Sequence, residues 1–199
     1  MKNIYLVGYR CTGKTTVKKT LGDGLWKDII SDDDMMVRDA GMTVAEIVQR
    51  FGWDDFRNRE SRILKTIASM KGKVVATGGG VILRDENIET MRKEGTVVWL
   101  RASVKTIAAR MANDVNSKDQ RPGLTDKGPM REIEETLELR TPMYRKAMDF
   151  SIETVGFEKY QDKIERFFIS EKNLVLTGWK SSGKTSLLNA VASKFVKYK

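Results

Sequence analysis

The feature that most constrains the fold of this chain is a glycine-rich segment close to its start. Residues 8–16 read GYRCTGKTT and fit the pattern GxxxxGK followed by Ser or Thr. The apolar run IYLVG at 4–8 leads into this segment, and a helix-length stretch at 14–21 follows. In this order the N–H groups at the start of the helix point at phosphate oxygens, aided by the helix dipole. The segment therefore predicts a strand, a phosphate-binding loop and a helix.

The residues of this loop indicate a nucleotide chemistry. We expect Lys14 to reach the β- and γ-phosphates of ATP and the Thr15 hydroxyl to bind Mg²⁺. Gly8 ends the strand, and Gly13 allows a tight turn. A chance match in a glycine-containing turn is the alternative, and the strand–loop–helix order argues against it. We predict ATP and Mg²⁺ as cofactors, with loop contacts from Gly8, Arg10, Cys11, Thr12, Gly13, Lys14, Thr15 and Thr16.

Short apolar runs alternate with helix-length stretches along the chain. The runs, rich in β-branched residues, lie at 4–8, 74–80, 96–100, 150–154 and 173–178, with a weaker one at 27–31. Helical patterns lie at 14–21, 43–51, 54–70, 85–93, 103–112 and 129–140. Buried parallel strands have this continuous apolar character. We predict an α/β fold, a doubly wound parallel sheet with helices on both faces, with ligands at the carboxyl ends of its strands.

Composition narrows the possible function classes. The chain has 199 residues, one cysteine and no histidine. The absence of histidine excludes hydrolases with the usual Ser-His-Asp triad and histidine-ligated metal sites. A single cysteine excludes an internal disulfide framework and fits a cytoplasmic protein. No apolar run approaches the roughly 20 residues of a membrane span, so we expect no membrane partner.

The formal net charge of +9 has two interpretations. It could attract nucleic acid or anionic membranes, or it could combine scattered lysines on solvated faces with arginines at a site for anionic metabolites. Acidic residues are interleaved throughout, and the chain has no long basic tract. It also has no aromatic and basic stripe suited to stacking bases. We therefore predict a small-molecule substrate and no nucleic-acid partner.

Five further segments occur in an informative order. They are SDDDMMVRDAG at 31–41, TVAEIVQRFGWDDFRNRE at 43–60, ATGGG at 76–80, RPGL at 121–124 and LRTPMY at 139–144. Together they resemble the shikimate kinase family of P-loop kinases over residues 1–170. The resemblance implies ATP-dependent phosphorylation of the 3-hydroxyl of shikimate, in the pathway to aromatic amino acids. It also implies a substrate-binding helical insert near 33–60 and a lid near 111–125.

The resemblance assigns the acceptor site to charged side chains. Asp33 matches the carboxylate that grips the acceptor hydroxyls, where it could orient the attacking hydroxyl and accept its proton. A helix N-cap is the alternative role for Asp33. Arg57 and Arg140 match the arginines that bind the shikimate carboxylate, because a planar guanidinium offers bidentate bonds. For Arg57 the alternative is a surface ion pair with Glu60 on the same helix face.

Other matched positions complete the implied site. Phe56 would supply an apolar wall or ordinary core, and Gly79 and Gly80 would bring backbone close to the substrate ring or form a simple turn. Arg121 resembles the lid arginine that stabilises the charge of the transferring phosphate. Arg110 lies where the family places an arginine against adenine, although its helix gives it other uses. The residues that we predict to be catalytic are Lys14, Asp33 and Arg121.

Three positions depart from the family pattern. Cys11 stands where the family usually has another glycine, which places a thiol beside the phosphates. Ser31 stands at the position of the aspartate on the Mg²⁺ side, so Asp32 becomes the expected metal ligand together with Thr15. The segment between Arg110 and Arg121 is longer than expected for the family lid.

Two other functions are consistent with parts of the sequence. A different small-molecule kinase, such as a gluconate-type enzyme, would share the loop and the fold. A nucleotide-binding module that has lost catalysis would fit the departures at Ser31 and Cys11.

A second glycine-rich segment occurs near the end of the sequence. Residues 178–186 read GWKSSGKTS, and residues 172–192 align without a gap to residues 2–22. A random second loop would not also repeat the residues of the preceding strand; a coincidental strand and helix is the alternative. We predict a kinase-like domain at 1–170, and at 171–199 the start of a second, incomplete P-loop unit, either a fusion to a second domain or a remnant.

Overall fold

The computed structural model describes residues 2–17, 28–113 and 128–154, together with the backbone of two strands at 164–169 and 174–178. Five strands form one sheet in which every neighbouring pair is parallel. Along the chain they are β1 (Asn3–Val7), β2 (Ile29–Ser31), β3 (Val74–Ala76), β4 (Gly95–Arg101) and β5 (Phe150–Glu153). Their order across the sheet is β2-β3-β1-β4-β5.

Strand β1 occupies the centre of this sheet. Every residue of β1 is buried, so both faces of the strand are covered. Leu6 lies opposite Ala76 of β3 on one side and Val98 of β4 on the other. Because the strands are parallel, the carboxyl ends of β1, β3 and β4 meet at one edge of the sheet, where ligands collect in folds of this kind.

Helices connect the strands. Helix α1 begins at Lys14, directly after the glycine-rich loop, and is described as far as Val17. The following helices are α2 (Asp32–Ala40), α3 (Val44–Ser69), α4 (Asp85–Glu94), α5 (Val104–Asn113) and α6 (Pro129–Ala147), with a 3₁₀ turn at Val81–Leu83. Among the helices in the described part of the chain, none has the length and apolar character that a membrane span requires.

Local signals in the sequence fix the bounds of the insert helices. The Ser31 hydroxyl accepts a hydrogen bond from the Asp34 N–H at 3.3 Å and caps α2. Thr43 and Glu46 form a reciprocal capping box at the start of α3. Gly52 interrupts α3 with non-helical dihedrals (φ 81°, ψ 171°), so the element consists of two helices joined at a kink. This kink confirms the separate helical patterns expected at 43–51 and 54–70.

The hydrophobic core lies on both faces of the sheet. Alternate side chains of β1, including Tyr5 and Val7, enter a large cluster with residues of α3, α4 and the end of α6. A smaller cluster joins the loop residue Tyr9 to Ile107 of α5 and Ile133 of α6. The phosphate-binding loop is therefore anchored in the core by the side chain of its second residue.

Most predicted elements are confirmed, including the weak strand near 27–31, and three are corrected. The strand expected at 74–80 ends at Ala76, since the glycines that follow leave the sheet. Helix α6 continues past the expected end at 140 to Ala147, with Pro142 inside it. The apolar run at 173–178 is not a parallel strand of the main sheet: Leu174–Gly178 pairs antiparallel with Ile164–Ile169, a strand that the sequence pattern did not indicate.

The predicted boundary between 170 and 171 falls between these two paired strands. The division into a kinase domain and a second P-loop unit remains a prediction, because residues 179–199 lie outside the described part of the chain.

Candidate active site

The glycine-rich loop turns sharply between β1 and α1. Gly8 has a φ of 147°, and a Cβ added there would lie 2.9 Å from the Thr12 hydroxyl. Only glycine fits both this dihedral and this close approach. Cys11 has a φ of 57°, in the left-handed region that non-glycine residues rarely adopt. Cys11, which stands where the resemblance leads us to expect glycine, therefore has a backbone conformation that glycine would adopt without strain.

Lys14 lies folded over its own loop. Its Nζ atom donates hydrogen bonds to the carbonyl oxygens of Gly8 at 2.7 Å and Tyr9 at 2.8 Å. The Thr12 hydroxyl donates to the same Tyr9 oxygen at 2.7 Å. These contacts hold the ammonium group against the backbone at the start of the loop that is expected to bind phosphate.

Arg110 reaches the loop from helix α5. Its guanidinium donates to the carbonyl oxygen of Cys11 at 3.2 Å and to the hydroxyl and carbonyl oxygens of Thr154 at 3.1 Å each. A Cβ added to Gly13 would lie 3.9 Å from this guanidinium. The structure thus brings Arg110 beside the loop, with its planar group held by the segment that follows β5.

Arg10 points away from the inside of the loop. Its guanidinium forms an ion pair with Glu132 in the first turn of α6, and its Nε atom donates to the Tyr9 hydroxyl at 3.3 Å. Both members of the ion pair are nearly buried, with side chains 13% and 6% exposed. Any contact of Arg10 with phosphate in this arrangement would come from its backbone N–H.

Asp32 joins the start of α2 to the end of β3. One of its carboxylate oxygens accepts the N–H of Asp33 at 2.7 Å, and the other accepts the N–H of Gly78 at 2.7 Å. The side chain is buried. Burial, together with the nearby carboxylates of Asp33 and Glu60, raises the pKa of Asp32 well above its usual range.

Asp33 lies inside α2 rather than at its cap, because Ser31 provides the capping oxygen. The predicted alternative role of Asp33 as an N-cap is therefore wrong. A Cβ added to Gly78 would lie 3.5 Å from an oxygen of Asp33 and 2.8 Å from Oε1 of Glu60. Asp33 is partly exposed at the carboxyl edge of the sheet, next to the buried Asp32.

Arg57 is paired with Glu60 one turn along α3. The Nη1 atom donates to Oε2 of Glu60 at 2.7 Å, and the two side chains are 14% and 2% exposed. This is a buried pair, so the surface ion pair considered from sequence is not what forms. Burial raises the pKa of Glu60, while the neighbouring Arg57 lowers it. The other oxygen of Glu60 has no hydrogen-bond partner among the described residues.

The Arg57 guanidinium also lies directly over the backbone of Gly80. A Cβ added to Gly80 would overlap the guanidinium. The guanidinium lies 4.9 Å from the ring centroid of Phe56 and 5.4 Å from that of Trp53. Phe56 is buried and meets Trp53 edge to face. The small size of Gly80 is thus needed for Arg57 to reach the strand end.

Arg140 and Tyr144 reach the glycine segment from α6. Arg140 Nη1 donates to the Gly79 carbonyl oxygen at 3.2 Å, and the Tyr144 hydroxyl donates to it at 2.6 Å. The Tyr144 ring stacks on Trp99 of β4, with centroids 5.4 Å apart. Burial raises the pKa of Tyr144, so this hydroxyl stays protonated and acts as a donor.

The structure brings nearly all the predicted residues to one edge of the sheet. The loop and Arg110 lie on one side of Gly79, and Asp32, Asp33, Phe56, Arg57, Gly80 and Arg140 lie around the glycine segment. Arg121 lies outside the described residues, as does most of the predicted lid.

Sequence reasoning missed two contributors, Glu132 and Gly78. Glu132 lies in no motif, and its contact with Tyr9 spans 123 positions, so no local pattern indicated it. Gly78 belonged to the quoted triplet, yet only the packing of three carboxylates against it, those of Asp32, Asp33 and Glu60, shows its use.

Comparisons with known proteins give one consistent family. The sequence matches the family model described as shikimate kinase over residues 10–168. Shikimate kinase of Thermodesulfovibrio yellowstonii is 41% identical over 166 residues, covering 82% of this chain and 93% of that protein. Shikimate kinase 2 of Yersinia enterocolitica is 44% identical over 144 residues, covering 72% and 82%.

Solved structures give the same result. Shikimate kinase from Acinetobacter baumannii in complex with shikimate superposes with a TM-score of 0.73 at 29% identity, covering 100% of this chain and 96% of that one. Shikimate kinase from Bacteroides thetaiotaomicron superposes with a TM-score of 0.70 at 30% identity, covering 76% and 86%.

Proposed function

The chain belongs to the shikimate kinase family and is a phosphotransferase that phosphorylates shikimate with ATP; we propose that the residues gathered around Gly78–Gly80 direct this transfer to the 3-hydroxyl. In this proposal the loop with Lys14 holds the nucleotide. Asp33 orients the acceptor hydroxyl, and Arg57 and Arg140 bind the substrate carboxylate.

The observation that carries the proposal is the double contact of Gly79. On one side, a Cβ added to Gly79 would lie 3.3 Å from the Gly8 carbonyl oxygen and 3.5 Å from the Arg10 nitrogen. On the other side, its own carbonyl accepts the hydrogen bond from Arg140. A single glycine therefore separates the phosphate loop from an arginine suited to a carboxylate. This spacing supports direct transfer between two small ligands bound side by side.

The acceptor side of the site has the charges that such a substrate requires. Two guanidinium groups, of Arg57 and Arg140, converge on the glycine segment from different helices. A partly exposed carboxylate, Asp33, lies next to them at the start of α2. Guanidinium groups bind a carboxylate bidentately, and a carboxylate accepts a proton from an attacking hydroxyl. We infer that the substrate ring lies over Gly79 and Gly80 with its acid group toward the arginines.

The phosphate side of the site positions the nucleotide and supplies positive charge. In-line phosphoryl transfer involves little covalent chemistry by the protein, so the donors that hold the phosphates account for most of the rate enhancement. Lys14, held inside the loop by two carbonyl oxygens, would exchange those bonds for phosphate oxygens. Arg110, which Thr154 holds beside the loop, would flank the nucleotide base in this proposal. Arg121 remains a predicted contributor to this side.

We also propose that Mg²⁺ accompanies the nucleotide. Among the described residues, no group of three or more acidic or cysteine side chains is arranged to hold a metal ion. Such a set is not needed, because Mg²⁺ in these sites takes most of its ligands from phosphates and water. The exposed Thr15 fits as a protein ligand, and the ion would neutralise charge on the phosphates. Asp32 remains a predicted ligand, although both of its oxygens accept backbone N–H groups.

The proposed 3-hydroxyl transfer is tested by incubating the protein with MgATP and shikimate. A coupled assay would measure ADP formation, and ³¹P NMR of the product would identify the phosphorylated position. We expect ADP formation that depends on shikimate and a single 3-phosphate product. Gluconate is the comparison acceptor, because it shares the acid and hydroxyl groups but not the ring. ADP formation with gluconate and not with shikimate would contradict the proposal, as would nucleotide binding without turnover. A cytoplasmic location and a fused second P-loop unit remain predictions.

A further inference from the structure

Glu132 is a buried carboxylate that the proposed reaction does not use. It lies in the first turn of α6 and is 5% exposed. A carboxylate in such a position is costly unless it is paired. Its partners are therefore informative about what this residue does.

In the described part of the chain, the partners of Glu132 include two consecutive residues of the phosphate loop. Oε1 of Glu132 forms the ion pair with Arg10 and accepts a hydrogen bond from the Tyr9 hydroxyl at 3.4 Å. Arg10 also donates to the Tyr9 hydroxyl at 3.3 Å, and its guanidinium lies 5.5 Å from the Tyr9 ring centroid. The three side chains thus contact one another pairwise. Because the ion pair is nearly desolvated, removing one member leaves an uncompensated charge.

The same helix also carries the proposed substrate arginine. Arg140 lies about 12 Å further along α6, roughly two turns after Glu132. There it shares the Gly79 carbonyl oxygen with Tyr144, and Gly79 in turn packs against the loop backbone at Gly8 and Arg10. Helix α6 therefore contacts the loop directly at its start, through Glu132 and the neighbouring Ile133, and indirectly further along, through Gly79.

We propose that Glu132 is a positioning residue that couples the phosphate loop to the acceptor site. By holding Arg10 and Tyr9 against the start of α6, it sets where Arg140 stands relative to the loop. This inference rests on the proposed function in one respect, the binding of the substrate carboxylate by Arg140. Glu132 acts through Arg10 and the helix rather than by contact with the reacting atoms.

The coupling is tested by calorimetric titration of Glu132→Gln with ADP and with shikimate in separate experiments. The amide keeps the size of the side chain and removes its charge. We expect the dissociation constants of both ligands to rise about three- to thirtyfold, the range usual for residues that link two sites. The matched control is Glu138→Gln, which removes the same charge from an exposed position of the same helix and should leave both constants unchanged.

A purely structural role would give a different result. In that case Glu132→Gln would lower the melting temperature but retain wild-type dissociation constants at a temperature where circular dichroism shows the folded protein. That outcome would overturn the proposal. If Glu132→Gln does not fold, Arg10→Lys provides the second test, since it keeps the charge but not the planar group. It should weaken shikimate binding as well as ADP binding, and a change confined to ADP would also overturn the proposal.

The wild-type protein separates this inference from the proposed function. Wild-type protein that fails to bind or phosphorylate shikimate contradicts the proposed function. Wild-type protein that binds and phosphorylates shikimate, with variants whose constants do not move, contradicts only the role of Glu132.

Discussion

The phosphate loop and the acceptor site meet at Gly79, yet they are held together by different interactions. In the loop, Lys14, Thr12 and Arg110 all donate to backbone carbonyl oxygens. Around the acceptor site, the buried carboxylates of Asp32 and Glu60 are packed beside one another, and Arg57 pairs with the second. Apart from the buried ion pair of Arg10 with Glu132, the loop half depends mainly on hydrogen bonds to backbone, whereas the acceptor half depends mainly on buried charge.

This difference predicts how each half of the site responds to substitution and to pH. A hydrogen bond to a backbone carbonyl contributes about 1 kcal/mol of net stability, or somewhat more from a charged donor, and depends little on pH while its donor stays protonated. A buried carboxylate has a pKa shifted from its unfolded value, so its contribution changes with pH. Substitution of Lys14 in the loop should therefore affect mainly catalysis. In the acceptor half, substitution of Asp33 should affect catalysis, substitution of Arg140 should affect substrate binding, and substitution of Asp32 should affect the pH dependence of folding.

The largest effect is expected for Lys14→Ala, which tests the loop half. Loss of the ammonium group removes positive charge from the transferring phosphate, so kcat should fall by at least about a thousandfold. Steady-state assays with saturating substrates measure this. Lys105→Ala, at an exposed position of α5, is the control and should keep wild-type activity. Turnover within about tenfold of wild type would show that the loop lysine does not take part in the transfer.

A smaller but severe loss is expected for Asp33→Asn, which tests the acceptor half. The amide can still hydrogen-bond to a hydroxyl but cannot accept its proton, so kcat should fall about a hundredfold or more. The KM for shikimate should change less. Asp34→Asn is the neighbouring control, because Asp34 is exposed on the same helix. Equal effects from the two variants would remove Asp33 from its proposed role.

Arg140→Ala should act mainly on substrate binding. Loss of one charged hydrogen-bond donor to the carboxylate should raise the KM for shikimate about ten- to a hundredfold, with a smaller change in the KM for ATP. Arg145→Ala, exposed on the same helix, is the control. A near-normal KM for shikimate would remove Arg140 from the site.

The smallest effect concerns stability and comes from Asp32→Asn. Because the pKa of Asp32 is raised in the folded protein, the folded state binds more protons than the unfolded state above about pH 4. The stabilising contribution of the protonated group is present below that pH and is lost as pH rises through the folded-state pKa. A tenfold difference in proton affinity between the folded and unfolded states corresponds to about 1.4 kcal/mol of stability.

The asparagine variant does not titrate at position 32, so its stability should fall less steeply with pH. Urea unfolding at several values between about pH 4 and pH 8 measures both profiles. Burial also raises the pKa of Glu60, which leaves a residual slope of the same sign in the variant. Parallel profiles for the two proteins would show that Asp32 is ionised throughout, contrary to expectation. Asp34→Asn should reproduce the wild-type profile.

The order of strands and helices in residues 2–154 was largely predictable, because each depends on short-range patterns. The apolar runs gave β1, β4 and β5 within one or two residues. The end of β3 was misplaced because glycines have no side chains to show the apolar periodicity of a strand or a helix. The strand at 164–169 was missed and its partner assigned to the wrong sheet, since sequence pattern does not specify which strands pair.

The sequence by itself determined the phosphate loop, because the glycine spacing and the strand before it define the backbone path over nine consecutive residues. The family motifs added Asp33, Arg57 and Arg140, the residues proposed to bind the acceptor. Only the tertiary structure decided that Glu60 is buried against Arg57 and that Asp32 accepts a hydrogen bond from the N–H of Gly78. It also decided that Glu132 pairs with Arg10 of the loop. The physical reason is that burial and charge pairing depend on which elements pack together, and contacts between residues 46 or 122 positions apart leave no local pattern.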